Sequence, residues 1–189
     1  MKKVLRNFVA GTAAVMSMAS LAGCSVKGAV YEPGTPVKIG LICLHDVQST
    51  YDANFINAMT EACENLGDRV LGEPIVKTGV AETKACYDAA KDLVKQGCNF
   101  IFADSFGHQD YMLQAARKWP SVTFCHATGT NAKTAALDNY HNAFASIYEG
   151  RYLAGVAGGL RLQKDIASGK VTDADKDANG NYLLGYIGA

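Results

Sequence analysis

Strand-like and helix-like segments alternate along this chain, and that alternation restricts the fold more than any other feature. Residues 37–44 form a short apolar, partly β-branched run that reads as a buried strand. Residues 52–66 carry Phe55, Ile56, Met59, Cys63 and Leu66 at spacings of three and four, which predicts a helix stopped by Gly67. A second strand follows at 70–78, interrupted by Gly72 and Pro74. A second helix spans 82–96 and ends at Gly97. The third strand is 98–103, the third helix 108–118 with Pro120 beyond it, and the fourth strand 122–127.

Beyond residue 127 the pattern weakens. Residues 139–145 read as a short strand, and 147–164 as a helix rich in small residues. Gly150, Gly155, Gly158 and Gly159 each weaken a helix by roughly 1 kcal/mol relative to alanine, so close packing against another backbone is expected there. Residues 168–181 are polar and loop-like, and the apolar run 183–187 reads as a fifth strand.

Repeated strand–helix units imply an α/β fold: a parallel sheet with helices on both faces and right-handed crossovers. The expected strand order is 2-1-3-4-5, with ligands held beyond the carboxyl ends of the strands. That directs attention to three loops. His45, Asp46, Ser49, Thr50, Tyr51, Asp52 and Asn54 follow strand one. Asp104, Ser105, Phe106 and His108 follow strand three, and His126 and Thr128 end strand four. Flat rings beside a few donors and acceptors are what a small-molecule pocket needs. Each residue also has a plainer role. Asp52 or Thr50 suits a helix N-cap, Tyr51 a staple, and Asp104 or Ser105 a cap of the next turn. A histidine at a strand end is commonly a satisfied core or surface group.

The N-terminus reads as an address. Lys2, Lys3 and Arg6 precede an uncharged stretch, Phe8 to Leu21, and then Leu21-Ala22-Gly23-Cys24. The stretch is shorter than the roughly 18–20 residues of a membrane span, and the tetrapeptide resembles a bacterial lipobox. Residues 1–23 are therefore expected to be a signal peptide, Cys24 the lipidated residue of an extracytoplasmic protein anchored to the cell membrane, and 24–36 a tether. The globular part is 37–189.

Several functions are disfavoured. Formal charge is zero with no basic stripe, which speaks against nucleic acid as a partner. With Cys24 set aside, Cys43, Cys63, Cys86, Cys98 and Cys125 fall on apolar faces and read as buried thiols, without zinc-like spacing. No Walker motif and no cofactor signature is found. Asp175 to Asn181 resembles half of a calcium loop, but Tyr186 stands where a bidentate Glu is required, so it reads as a solvated turn. Ala103-Asp104-Ser105-Phe106-Gly107 resembles a hydrolase nucleophile elbow, with His126 or His141 as the base. A serine hydrolase using Ser105 is thus a minor alternative to ligand binding without chemistry.

The segments Ser49-Thr-Tyr-Asp-Ala-Asn-Phe55, Ile101-Phe-Ala-Asp-Ser-Phe-Gly107, Trp119-Pro-Ser-Val-Thr-Phe-Cys-His-Ala-Thr-Gly129 and Tyr148-Glu-Gly-Arg-Tyr-Leu-Ala-Gly155 resemble the basic membrane protein family, across nearly all of 37–189. These are lipoprotein receptors related to the purine nucleoside receptor. The resemblance implies a lobe of the type 1 periplasmic binding protein fold, cut short before a second lobe. It also implies a nucleoside-like ligand and an importer's ABC permease and ATPase as partners. A sensory lipoprotein is the alternative within the same class. In the family an aromatic residue after strand one stacks on the base. Thr50-Tyr51-Asp52 stands there, with an acid where the family has an amide. Asp104 matches a polar residue expected to accept from ribose hydroxyls, and Asp46 falls where some members carry an acid. The Glu149-Gly150-Arg151-Tyr152-Leu153 segment is expected to be structural rather than ligand-binding. The expected ligand set is Asp46, Tyr51, Asp52, Asp104, Ser105, Phe106 and His126.

Overall fold

A computed structural model describes residues 34–187. The expected signal peptide, Cys24 and all but the end of the expected tether lie outside the described residues.

Five parallel strands form one sheet in the order β2-β1-β3-β4-β5. They are β1 (Ile39–Ile42), β2 (Ile75–Lys77), β3 (Phe100–Ala103), β4 (Thr123–Ala127) and β5 (Tyr140–Ala143). The helices are α1 (Thr50–Leu66), α2 (Lys84–Lys95), α3 (Gln109–Lys118), the short α4 (Ala132–Ala135) and α5 (Ile147–Ala167). Strand order reverses at β1, which carries β2 on one side and β3 on the other.

Both faces of the sheet are covered, as alternating units require. On one face α2 and α3 bury Cys86, Ala90, Leu93, Met112, Ala115 and Ala116 against Ile42, Ile101, Phe124 and Tyr140. On the other, α1 packs Met59 and Cys63 with Ile39, Val70 and Phe100. Asn139 joins α3 to the edge of the sheet: its Nδ2 donates to the carbonyls of Ala116, Trp119 and Val122 at 2.9, 3.2 and 2.9 Å. The Trp119 carbonyl also accepts from the Val122 N–H at 3.1 Å, so the amide closes the turn that ends α3.

Two expectations fail. The fifth strand is Tyr140–Ala143, not the apolar run at 183–187. Leu183, Leu184, Tyr186 and Ile187 are exposed and pair with no strand. Apolar content marks a segment that seeks cover but does not say where the cover lies. Likewise α5 has no buried residue, and no backbone or side chain lies near Gly150, Gly155, Gly158 or Gly159 among the described residues. The close approach that would explain those glycines is not made within this lobe. The resemblance to a calcium loop resolves into a turn: Asp177 Oδ1 accepts from the backbone N–H groups of Asn179 and Asn181 at 2.8 and 2.9 Å. No helix of the described residues is long and apolar enough to cross a membrane.

Candidate functional site

The loops after β1, β3 and β4 meet at the carboxyl rim of the sheet. Ser49 caps α1, its hydroxyl oxygen accepting from the N–H of Asp52 at 3.3 Å. The Asp52 carboxylate answers by accepting from the Ser49 hydroxyl at 2.5 Å and the His45 N–H at 2.8 Å, and it lies 3.1 Å from His45 Nδ1. Although burial raises its pKa, these donors outweigh burial together and hold it down at about 2. Asp52 is fully buried and both its oxygens are engaged. It folds the loop that leads into Tyr51.

Tyr51 stands on the rim, partly exposed, with its ring tilted onto Phe55 at 5.0 Å between centroids. Its hydroxyl donates to the backbone carbonyl of Asp104 at 2.9 Å. The Asp104 carboxylate points the other way, into the core. Oδ1 accepts from the Leu44 N–H at 3.1 Å, while Oδ2 is buried without a partner. Burial raises the Asp104 pKa to about 6, with the neighbouring Asp52 adding to the rise. The residue is fully buried, and it meets Tyr51 through its backbone carbonyl while its carboxylate is turned into the core.

Cys43, Asp52 and Asp104 bring donor atoms within 4.8 Å of one another. The chemistry of these groups is a poor match for a cation. Burial pushes the Cys43 thiol well up, away from the thiolate a metal needs, and Asp52 is already saturated with donors.

Ser105 is buried, and its hydroxyl donates to Glu82 Oε1 at 2.5 Å. It therefore faces a carboxylate and not an imidazole, and neither His126 nor His141 hydrogen-bonds its side chain among the described residues. The nucleophile-elbow reading lacks its base. His126 is fully buried. Asn142 Nδ2 donates to its Nδ1 at 2.8 Å, which leaves Nε2 as the donor to the Phe106 carbonyl at 3.3 Å. Burial lowers its pKa, in keeping with this neutral form. It lies buried beneath the rim, against the Phe106 turn. Phe106, by contrast, is 57% exposed, and Asp46 lies in an exposed turn where it accepts from the Gln48 N–H at 2.9 Å.

A cavity of about 500 Å³ opens beside Tyr51. Phe55, Thr128, Phe144, Ile147 and Arg151 line it together with Tyr51, and Ala127, Ala143 and Ala145 fill the wall between them. Of the expected ligand set only Tyr51 lines this cavity. Thr128 was legible as a loop residue. Phe55 reads from its spacing as a helix-face residue, and Arg151 reads as structural because it sits in a motif that looks like helix packing. Thr128 is held at φ 63 by its N–H to the Ala143 carbonyl at 2.9 Å. A β-branched residue at positive φ is strained, and such strain gathers at functional sites.

Residues 39–172 match the family described as Bmp, ABC transporter substrate-binding protein PnrA-like. The chain is 36% identical over 155 residues to a purine-binding protein of Brucella abortus (strain 2308), covering 80% of this chain and 42% of that protein. A shorter stretch of 60 residues is 42% identical to a putative ABC transporter glucose-binding protein of Haloferax volcanii, covering 32% of this chain and 14% of that protein. Among solved structures, an ABC transporter solute-binding protein from Conexibacter woesei DSM 14684 aligns with a TM-score of 0.49 at 14% identity, over 57% of this chain and 35% of that one. The chain thus spans less than half the length of the curated relatives it matches. With the family matched over most of the chain, this protein belongs to the Bmp family of PnrA-like ABC transporter substrate-binding proteins.

Proposed function

We propose that this chain forms one wall of the binding cleft of an extracytoplasmic receptor that captures a purine base or nucleoside for an ABC importer. The observation that carries the proposal is the Tyr51 ring, which borders a largely apolar cavity of about 500 Å³ and is pinned through its hydroxyl to Asp104. A ring fixed in orientation stacks on a planar ligand at little further entropic cost. Tyr51 lines the cavity and makes the stacking contact, while Phe106 and Asp46, the other exposed groups of the expected set, stand on the rim outside that lining and meet the ligand where it extends beyond the cavity. Asp52, Asp104, Ser105 and His126 hold them in place. The purine-binding relative supports the ligand class. Import proceeds through a permease and an ATPase, since substrate-binding proteins of this family serve ABC transporters. Lipid on Cys24 anchors the receptor outside the cytoplasm.

Calorimetry of the full-length protein tests this, using adenosine, guanosine, inosine, cytidine, the free purines and glucose. Saturable binding of a purine, lost on Tyr51→Ala, is the expected result. Binding of glucose alone, or of no purine, sinks the proposal.

A further inference from the structure

Glu82 reaches from the loop before α2 into the turn that carries Phe106. Its Oε1 accepts from the Ser105 hydroxyl at 2.5 Å and from the Gly107 N–H at 2.7 Å, so one carboxylate oxygen grips both neighbours of Phe106. The same loop takes a second hold: the Val80 carbonyl accepts from His108 Nε2 at 2.8 Å. From the other side, His126 Nε2 donates to the carbonyl of Phe106 itself. Gly107 fits this arrangement because a Cβ there would run into the Glu82 carboxylate. Gly129 does likewise under the His126 ring, which any side chain at 129 would strike.

Glu82 has no competing task in its own element. Thr83 caps α2, accepting from the Ala85 N–H, and Glu82 pairs with no lysine or arginine among the described residues. Hydrogen bonds to an ionised acceptor are about twice as strong as neutral ones. Two of them converging on a three-residue turn fix its backbone, while the Phe106 ring stays 57% exposed. A large apolar ring held out of the core on a clamped turn serves something that arrives from outside. The clamp also ties the loops after β2 and β3 to strand β4.

We infer that Glu82 is a positioning residue of the receptor, which fixes the Ser105–Phe106–Gly107 turn so that the Phe106 ring meets a planar ligand in a ready-made orientation. This rests on the reading of Phe106 as part of the cleft. Preorganisation of this kind raises affinity by removing the ordering cost from the binding step.

The test is a double-mutant cycle on the full-length protein, read by calorimetry with the tightest purine of the panel and by amide hydrogen exchange at Gly107. Glu82→Ala removes the acceptor; Glu82→Gln keeps a carbonyl oxygen at the same reach. Glu82→Ala is expected to weaken binding by about tenfold and to expose the Gly107 N–H to exchange, and Glu82→Gln to restore both. In a Phe106→Ala background Glu82→Ala should change affinity by less than about twofold, because the two act as a unit. Additive losses, or a Gly107 amide equally protected in Glu82→Ala, overturn the inference. Affinity unchanged by Phe106→Ala removes the ring from the cleft and overturns it also. A protein that binds no purine refutes the proposed function, and the ligand half of this inference falls with it. The exchange arm separates the two failures, since it reports on the clamp without any ligand.

Discussion

The phenol of Tyr51 and the backbone of Asp104 meet at 2.9 Å across the point where strand order reverses, between the first turn of α1 and the end of β3. The bond joins the exposed ring to the backbone just past the end of β3. Asp104 is itself tied to β1 on either side of its carbonyl, by its N–H to the Ile42 carbonyl at 3.1 Å and by its Oδ1 to the Leu44 N–H.

The hydroxyl and the ring of Tyr51 therefore separate by mutation. Tyr51→Phe keeps the stacking surface and loses only the anchor; affinity is expected to fall by less than about fivefold. Tyr51→Ala removes the surface, and the thermal shift produced by a purine should vanish. Isothermal calorimetry on both variants checks this. Equal losses from the two would assign the effect to the hydroxyl and not to stacking.

Much of this was legible before any coordinates. Periodicity placed β1, β3 and β4 and the helices between them to within a few residues, because parallel strands buried on both faces are continuous apolar runs. The rule that ligands gather at carboxyl ends then put Tyr51, Asp104 and Phe106 on one rim. What stayed hidden depends on which loops become neighbours in space. Glu82 lies more than twenty residues from Ser105 and reads as an ordinary acid near a helix start. Asn142 sits in the polar run Tyr140–Ala143, an edge strand that carries less apolar signal than the exposed 183–187. The exchange of roles between Asp104 and its own carbonyl could not be read either, since sequence does not say which atom of a residue faces out.

The buried pair of acids makes stability depend on pH in two directions. Asp104 is raised from 3.8 to about 6, so the folded state binds its proton more tightly than the unfolded chain does. Stability is then lost as pH rises through that interval. Asp52 is lowered from 3.8 to about 2, so its contribution is present above 3.8 and lost as pH falls toward 2. The two together favour the folded state most near pH 4, with the Asp104 penalty in force at neutral pH. Asp104→Asn removes that penalty and offers an N–H donor toward Asp52. It is expected to raise stability at pH 8 by on the order of 2 kcal/mol and to change little at pH 4. Urea unfolding at the two values decides the matter; a variant less stable at pH 8 would show that the charge is accommodated.

Asn142 does two jobs with one amide. Its Nδ2 donates to His126 Nδ1 at 2.8 Å, and its Oδ1 accepts from the Ala132 N–H at 2.7 Å at the start of α4. Asn142→Ala leaves a fully buried imidazole nitrogen without a donor, which costs about 1–3 kcal/mol. The urea midpoint should fall accordingly. Exchange at Ala132 should quicken, and so should exchange in the turn around Phe106, whose carbonyl His126 holds. A normal midpoint would mean that His126 finds another donor.

Thr128 offers the sharpest separation of folding from binding. Its backbone sits at φ 63, a conformation that costs a β-branched residue about 1–3 kcal/mol and glycine very little. Yet the residue lines the same cavity as Tyr51 and Phe144. Thr128→Gly releases the strain, offset in part by the greater freedom glycine gives the unfolded chain, so stability should hold or rise by up to about 1 kcal/mol. Affinity for the purine should fall in the same variant, because the wall loses its methyl and hydroxyl. Thr128→Ala provides the contrast: it keeps the backbone strained and removes most of the same wall. Its affinity should match the glycine variant while its thermal midpoint lies below it. If the glycine variant is the less stable of the two, the strained backbone is not where the energy is held; if its affinity equals that of the unmodified protein, the cavity beside Tyr51 is not where the ligand sits.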